Sequence, residues 1–253
     1  MPIQRICRVV SAEKLNSFAY SLLLDVGEMA EEISFGQFVH IKCGHSRLLR
    51  RPISICDWQE GLLRVVFEVR GEGTEWLSRR EAGDKLDVLG PLGHGFQSVA
   101  GKRLLLAGGG IGVPPMLACA TGADGASAAV LGFRDEAHAM LLKDFEEHCA
   151  QVAVTTDDGS LGRKGFVAQA VEDILAKDSK FDAVLACGPK IMLRTVAEAA
   201  EKYGIPCQVS MEERMGCGVG ACLVCACKTA DGSMKHVCKD GPVFNAGEVS
   251  WDD

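Results

Sequence analysis

The cysteines near the carboxyl terminus are the residues of this chain best suited to chemistry. Twelve cysteines occur in 253 residues, and five of them fall between positions 217 and 238. Clustering of this kind in a chain of this size favours metal ligation over disulfides. Cys217, Cys222 and Cys225 follow the spacing C-x4-C-x2-C, and Cys238 comes later. Four thiolates spaced in this way predict a site for one 2Fe-2S cluster.

The residues around these cysteines support the same interpretation. Gly216, Gly218 and Gly220 should let the backbone wrap closely and direct amide N–H groups towards cluster sulfurs. Four cysteines without a histidine argue against a Rieske centre, while zinc, which usually takes paired C-x2-C knuckles, and no metal at all remain as alternatives. Cys227 follows Cys225 by two residues and would point to the opposite side of an extended segment, so we do not expect it to be a ligand.

A second candidate site lies where the segment RRPISI follows GQFVHIKC. Arg51 and Ser54 could both bind a pyrophosphate oxygen. The Arg51 guanidinium would donate charge-assisted, bidentate hydrogen bonds, and the Ser54 hydroxyl would donate a neutral hydrogen bond. Gly73 and Thr74 lead into a predicted short helix, whose N-terminus offers amides and a favourable dipole to a phosphate. The alternative is that Arg51 pairs with a surface acid and that Gly73 only forms a turn.

A third candidate site is the glycine-rich turn AGGGIGVPP after the apolar run RLLL. Its glycines would allow the backbone to approach a pyrophosphate closely, although the turn is not a strict G-x-G-x-x-G. These glycines are Gly108, Gly109, Gly110 and Gly112. Cys187, Gly188 and Pro189 end a later apolar run, so we expect them at the same carboxyl edge of a sheet. Cys187 could equally be a buried strand cysteine.

Three kinds of segment must position these residues. Residues 1–101 give short extended runs, with the period-two alternation of half-buried strands in LLRVVFEVR, and predict a small antiparallel barrel. Residues 102–210 alternate apolar runs with helix-length segments and predict a parallel sheet covered on both faces. Residues 211–253 are rich in glycine and cysteine and too irregular for a core of their own, so they predict a small module organised by a metal centre.

Composition excludes some classes of partner. The net charge of -7 would repel a phosphate backbone, and no basic patch with interleaved aromatic residues offsets it, so we expect no nucleic acid. The first residues, MPIQRICRVV, lack the apolar stretch of a signal peptide, and no window reaches the length of a membrane helix. We therefore expect a soluble cytoplasmic protein that does not bind a membrane.

The order of the motifs RPIS, GT, GGGIGVPP and CGP resembles the ferredoxin–NADP reductase superfamily, in which an FAD-binding barrel precedes a nicotinamide-binding α/β domain. With the tail ERMGCGVGACLVC and VCKDGPVF, the chain is similar over essentially its whole length to the electron transfer subunits of class 1B dihydroorotate dehydrogenases. The resemblance implies FAD, one 2Fe-2S cluster and NAD as cofactors or acceptor. It implies flavin contacts at Arg51, Pro52, Ile53, Ser54, Glu68, Val69, Arg70, Gly73 and Thr74. It also implies cluster ligation by Cys217, Cys222, Cys225 and Cys238, with Cys187 near the flavin–nicotinamide contact.

The resemblance further implies a route for electrons in pyrimidine biosynthesis. Dihydroorotate would be oxidised at FMN in a separate catalytic subunit of a two-plus-two heterotetramer, and electrons would cross singly through the cluster to FAD and then to NAD. No acid–base residue for dihydroorotate is then needed in this chain, and we expect His94 and His236 at turns or on the surface. We expect residues 215 to 223 to border the subunit interface, because the loop is glycine-rich and apolar.

Other interpretations stay open at this point. One is a subunit of an electron-bifurcating or sulfur-reducing oxidoreductase, and another is a zinc-stabilised binding module without catalytic activity. The segment between Cys225 and Cys238 looks shorter than in some relatives, and Cys227 offers a competing thiol there for the fourth ligand. Asp135 or Glu136 could bind a ribose hydroxyl of NAD, whereas Arg134 could meet a 2′-phosphate, so the choice of NAD depends on the resemblance.

Overall fold

The first part of the chain forms the predicted barrel. The computed structural model describes residues 2–44 and 48–252, so the first and last residues of the predicted domains, 1 and 253, lie outside the described residues. Six antiparallel strands close the barrel in the order β1-β2-β5-β4-β3-β6. Their bounds are β1 Ile3–Lys14, β2 Ala19–Asp25, β3 Phe38–Ile41, β4 Arg51–Gln59, β5 Leu62–Glu68 and β6 Lys85–Leu92. The predicted short helix is α1, Glu72–Leu77, and a 3-10 helix spans Gly27–Glu32.

Alternation along β3 and β4 decides which side chains leave the barrel. Val39 and Ile41 on β3 belong to the barrel core, as do Ile53 and Ile55 on β4. Because successive side chains of a strand point to opposite faces, the residues between them lie on the outer face. Pro52 and Ser54 of the RPIS segment lie on that outer face and are half-buried, and Arg51, the first residue of β4, is half-buried at the strand end.

The second part of the chain forms the predicted α/β layer. Its sheet has the order β10-β9-β8-β7-β11-β12-β15, and every pairing is parallel except β12 with β15. The strands are β7 Leu104–Gly109, β8 Ala128–Phe133, β9 Gln151–Thr156, β10 Arg163–Lys164, β11 Ala183–Cys187, β12 Cys207–Ser210 and β15 Val243–Asn245. The helices are α2 Val113–Gly122, α3 Leu142–His148, α4 Val167–Lys177 and α5 Lys190–Lys202.

One helical segment is shorter than the sequence suggests. The run EAHAMLLKDFEEHC has helical length, but it gives a 3-10 helix at Glu136–His138 and an α-helix only from Leu142. Leu141 adopts a left-handed conformation with φ 61°, which interrupts the helix between these two parts. Within the described ranges, no helix is both long and apolar enough to cross a membrane.

The carboxyl-terminal segment packs on the rest of the chain and has little core of its own. Strands β13, Ala226–Lys228, and β14, Met234–His236, form a hairpin, and β15 adds an antiparallel strand to the edge of the large sheet. Cys225 and Cys238 share a hydrophobic cluster with the α/β layer and with Phe38 of the barrel. The predicted domain boundaries near 102 and 211 stay predictions, and β15 pairs across the second of them.

Candidate cluster, flavin and nicotinamide sites

Backbone amides surround the sulfur of Cys217. Its Sγ accepts hydrogen bonds from the amides of Val219 and Cys222 at 3.4 Å and of Ala221 at 3.2 Å. Partial burial raises the pKa of the Cys217 thiol, but these amide hydrogen bonds outweigh that effect and lower it to about 6. Since the thiolate is the form that binds a metal, the loop favours Cys217 as a ligand.

Backbone amides also donate hydrogen bonds to the sulfurs of the other three cysteines. The amide of Cys217 donates to Cys222 Sγ at 3.4 Å, and the amide of Gly220 donates to Cys238 Sγ at 3.2 Å. The amide of Cys238 in turn donates to Cys225 Sγ at 3.4 Å. Each of the four sulfurs therefore accepts at least one amide, which is the type of contact that tunes iron–sulfur clusters. The donor set fits a 2Fe-2S cluster.

One end of the cysteine loop is exposed at the protein surface, and the other end is buried. Cys225 and Cys238 are buried, whereas Cys222 is exposed. Val219 and Leu223, which flank Cys222, have exposed fractions of 47% and 58%. Large apolar side chains exposed on one loop are typical of a surface that contacts another protein.

Cys227 differs from the four cysteines of the loop. It is buried on β13, where it lies in register with Lys235 of β14. Among the residues described, no three His, Cys, Asp or Glu side chains are arranged around one point as ligands of a single metal ion. The assignment of Cys217, Cys222, Cys225 and Cys238 as ligands thus depends on spacing and on the amides.

The structure brings the two halves of the predicted flavin motif together. A Cβ atom on Gly73 would lie 2.5 Å from Arg51 Nε, so the guanidinium lies directly against the start of α1. Arg51 Nη1 donates to the backbone oxygen of Leu49 at 2.7 Å. The Thr74 hydroxyl accepts the amide N–H of Arg70 at 2.9 Å and so fixes the turn that enters the helix.

The remaining flavin candidates differ in where their side chains point. Glu68 and Arg70 form an ion pair at 3.2 Å, and the neighbouring Val69 is exposed. Ile53 packs in the barrel core, so only its backbone can reach a ligand on the outer face. Ser54 lies on that outer face and is half-buried.

The carboxyl edges of β7 and β11 converge at the predicted dinucleotide site. Gly108 and Cys187 lie in register on these two strands. A Cβ atom on Gly112 would clash with the backbone oxygen of Cys187, so the two turns touch backbone to backbone. A Cβ atom on Gly188 would lie 2.7 Å from Met192 Cε. Met192 was not a candidate from the sequence, because a methionine in an apolar helix face carries no separate signal.

Cys187 is held as a neutral thiol at this edge. Burial raises its pKa to about 12, although a hydrogen bond with the Ser210 side chain acts in the opposite direction. Ser210 lies directly opposite on β12. Gly110 begins the 3-10 turn before α2, and Pro189 directly precedes α5, so both candidates flank helix starts at the same edge.

The end of β8 presents three charged residues that bear on dinucleotide choice. Asp135 accepts the amide of His138 at 3.1 Å and lies 2.6 Å from its ring Nδ1, and this contact lowers the pKa of the Asp135 carboxyl. That carboxylate is thus engaged within its own turn. Arg134 and Glu136 are both exposed at the same strand end.

Comparison with known proteins assigns the family. Residues 212–250 match the iron-sulfur cluster binding domain of dihydroorotate dehydrogenase B. The electron transfer subunit of dihydroorotate dehydrogenase B (NAD+) from Caldanaerobacter subterraneus subsp. tengcongensis is 41% identical over 246 residues, which cover 96% of either chain. The corresponding subunit from Bacillus caldolyticus is 43% identical over 254 residues, covering 95% of this chain and 96% of the relative. The chain belongs to the family of dihydroorotate dehydrogenase B electron transfer subunits.

Solved structures agree with the fold of this dihydroorotate dehydrogenase B family member. A structure of the NADH-dependent reduced ferredoxin-NADP oxidoreductase, described in relation to flavin-based electron bifurcation, is 32% identical with a TM-score of 0.85. The alignment covers 98% of this chain and 90% of that one. A ferredoxin reductase of carbazole 1,9a-dioxygenase is 22% identical with a TM-score of 0.68, covering 81% of this chain and 67% of that one, and supports the fold alone.

A histidine just after the last barrel strand contacts the cysteine module of this family member. The amide of His94 donates to the backbone oxygen of Gly241, and its ring Nδ1 lies 2.6 Å from the backbone oxygen of Lys239. His94 is exposed, as predicted, but it forms a β-bridge with Pro242, and the sequence did not predict this contact with the module. His236 is half-buried, with its ring 3.5 Å from the Asp240 carboxylate.

A second histidine, His40, was not singled out from the sequence. It lies on β3 and is fully buried. Burial, together with the nearby positive charge of Arg50, lowers the pKa of His40 to about 4, so the imidazole is neutral. The sequence feature that could have identified His40 is a single histidine within the apolar run GQFVHIKC.

Proposed function

We propose that this chain is the electron transfer subunit of an NAD-dependent dihydroorotate dehydrogenase and passes electrons from a catalytic partner subunit to NAD+. The observation that carries the proposal is the amide-lined cysteine loop, which falls within the region matched by the family model. Relatives 41% and 43% identical over nearly the whole chain carry this function in their names. The proposed organisation is a flavin-binding barrel at 1–101, a nicotinamide domain at 102–210 and a cluster module at 211–253.

The residues of the chain would hold and tune its cofactors. When bound, the cluster carries single electrons, and FAD converts between single electrons and the hydride of the nicotinamide. Cys217, Cys222, Cys225 and Cys238 would bind the cluster, and the surrounding amides would stabilise negative charge on the sulfurs.

The two other sites would bind phosphate groups. Arg51 and the start of α1 would hold the flavin pyrophosphate, since the guanidinium already lies against Gly73. Gly110, where a Cβ atom would meet no heavy atom within 4 Å, would let a dinucleotide backbone approach the carboxyl edge of the sheet, while Gly112 and Gly188 let the neighbouring segments pack closely there. Cys187 would stand beside the reacting rings as a neutral thiol, where it excludes water without adding charge.

The partner would be an FMN-containing catalytic subunit, in a two-plus-two heterotetramer. Its docking surface would include the loop at 215–223, because Val219 and Leu223 are exposed beside the cysteines. This chain would supply no acid or base for dihydroorotate, which the partner would oxidise. A cytoplasmic location stays a prediction.

The test is an anaerobic purification of the tagged chain from its own host with whatever binds it. The complex should reduce NAD+ in the presence of dihydroorotate, whereas the chain alone should only transfer electrons from NADH to an artificial dye. A complex that contains flavin and iron, oxidises NADH and yet ignores dihydroorotate would contradict the proposed substrate. Iron below one atom per chain, with zinc in its place, would contradict the cofactors as well.

One observation favours a second candidate function. The solved structure related to electron bifurcation shares 32% identity over 98% of this chain, with a TM-score of 0.85. A subunit of an electron-bifurcating oxidoreductase would have the same barrel, sheet and cysteine module but another partner. The same purified complex distinguishes the two, because a bifurcating complex would reduce NADP+ from NADH and reduced ferredoxin and would not use dihydroorotate.

A further inference from the structure

His40 is a buried polar side chain that lacks a partner. Its exposed fraction is 0%, and neither ring nitrogen has a hydrogen-bond partner within residues 2–44 and 48–252. A neutral imidazole carries one N–H donor and one acceptor nitrogen, and burying both without partners is costly. We therefore expect a bound group, rather than another part of the polypeptide, to contact the ring nitrogens.

The strand directs His40 away from the barrel core. Its neighbours Val39 and Ile41 pack inside the barrel, so His40 lies on the outer face. Phe38 lies on the same face, with its ring centroid 5.7 Å from that of His40, and belongs to the hydrophobic cluster that contains Cys225. His40 therefore faces the cysteine module.

One face of the His40 imidazole lies against the cysteine loop. A Cβ atom on Gly218 would lie 2.8 Å from His40 Cε1, 2.9 Å from Nδ1 and 3.1 Å from Nε2. The three distances are nearly equal, which places that Cβ above the ring plane near Cε1, so the imidazole packs flat against the loop immediately after Cys217 and both ring nitrogens lie beside it. Gly218 also has a φ of 74°, a conformation that suits glycine.

The residue that pairs with His40 on the neighbouring strand belongs to the flavin motif. In the antiparallel pairing of β3 with β4, His40 lies directly opposite Pro52. Directly opposite residues share a face of the sheet. The imidazole therefore neighbours both the RPIS segment and the cysteine loop.

We propose that the ring N–H of His40 donates a hydrogen bond to a sulfur of the 2Fe-2S cluster and raises its reduction potential. The inference rests on the proposed function only in requiring that the loop holds a cluster. A hydrogen bond to sulfur stabilises the reduced cluster more than the oxidised one, because reduction adds negative charge. His40 is a positioning residue in this role, and it also supports the loop at Gly218.

The test compares three variants of the full chain, purified with its partner. His40→Leu removes the donor, His40→Gln keeps a donor, and Phe38→Leu alters packing on the same face without touching a donor. In a redox titration followed by EPR, His40→Leu should lower the cluster potential, so that the reduced fraction falls severalfold at a fixed ambient potential. The potential should recover in part in His40→Gln and stay unchanged in Phe38→Leu, and the flavin potential should not move.

A second measurement uses the wild-type protein and does not depend on a variant that folds. With histidine labelled by nitrogen-15, pulsed EPR of the reduced cluster should show a coupling to an imidazole nitrogen. The coupling should persist in His94→Asn and in His236→Asn, which replace the other two histidines described at the module, and it should be lost in His40→Leu. Its absence in the wild type would overturn the proposal.

The remaining outcomes separate this inference from the proposed function. A shift of the flavin potential in His40→Leu, with the cluster potential unchanged, would overturn the cluster bond. A missing cluster signal in the wild type would overturn both this inference and the cofactor assignment. A cluster with the histidine coupling in a complex that ignores dihydroorotate would support this inference while contradicting the proposed substrate.

Discussion

The amide of Gly220 donates a hydrogen bond to Cys238 Sγ across 3.2 Å, although the two residues are 18 positions apart. This contact brings the fourth cysteine to the loop that carries the first three. Gly220 has a φ of 79°, which a residue with a Cβ atom adopts only at a cost. The loop conformation and the position of Cys238 are therefore coupled.

Replacing Gly220 by alanine should loosen the cluster. The left-handed conformation costs a non-glycine residue about 1–2 kcal/mol, so cluster retention should weaken about tenfold. The measurement is the loss of visible absorption with time in the presence of an iron chelator. Gly247→Ala is the matched control, because a Cβ atom there would meet no heavy atom within 4 Å. Equal rates of loss in the two variants would contradict the prediction.

Cys227 should be dispensable for the cluster. It is buried on β13, which pairs with β14 in the hairpin, and it is not part of the amide-lined loop. Cys227→Ala should retain two iron atoms per chain and the wild-type EPR signal, whereas Cys225→Ala should lose both. If iron content fell to the same extent in Cys227→Ala, Cys227 would have to replace one of the four proposed ligands.

A charge at Val219 should disrupt transfer from the partner. Val219 is exposed beside the proposed ligands, and an aspartate there would place a charge in an apolar contact. Val219→Asp should slow dihydroorotate-dependent NAD+ reduction at least tenfold and leave NADH oxidation by a dye unchanged. Met234→Asp, at an exposed position of the β13–β14 hairpin, should spare both activities. Equal loss of both activities in Val219→Asp would argue against an interface.

Gly73 should be needed for flavin binding. A Cβ atom on Gly73 would lie 2.5 Å from Arg51 Nε and would displace the guanidinium. Overpacking of this kind costs about 1–3 kcal/mol, so FAD affinity should fall about tenfold or more in Gly73→Ala. Gly71→Ala is the control, since its Cβ would have open space. The measurement is flavin fluorescence on dilution, and unchanged affinity in Gly73→Ala would contradict the role of Arg51.

Cys187 should resist alkylation at mildly alkaline pH. Burial raises its pKa to about 12, compared with an ordinary value of 9.0, so at pH 8.5 the thiol stays protonated in the folded protein. The thiolate fraction, and with it the reaction with iodoacetamide, should be about a thousandfold lower than in the unfolded chain. Mass spectrometry of the labelled peptides measures this, and rapid labelling of Cys187 in the folded state would contradict a neutral buried thiol.

The sequence determined those features that depend on neighbours along the chain. Alternation in LLRVVFEVR predicts β5, and the apolar runs with glycine turns predict the parallel sheet. The spacing of Cys217, Cys222 and Cys225 predicts three cysteines on one loop. The break at Leu141 was not predictable in this way, because helix propensity carries no information on a single left-handed residue.

Only the tertiary structure decided which distant residues meet. Arg51 lies against Gly73, Gly112 lies against Cys187, and His40 lies against Gly218. The sequence predicted Arg51 and Gly73 in one site, and Gly112 and Cys187 at one sheet edge, but it did not predict that either pair touches. It provided no reason to link a strand histidine with a cysteine loop. Chain connectivity sets spacing within a loop, whereas contacts between segments depend on strand register and on the packing of one layer against another.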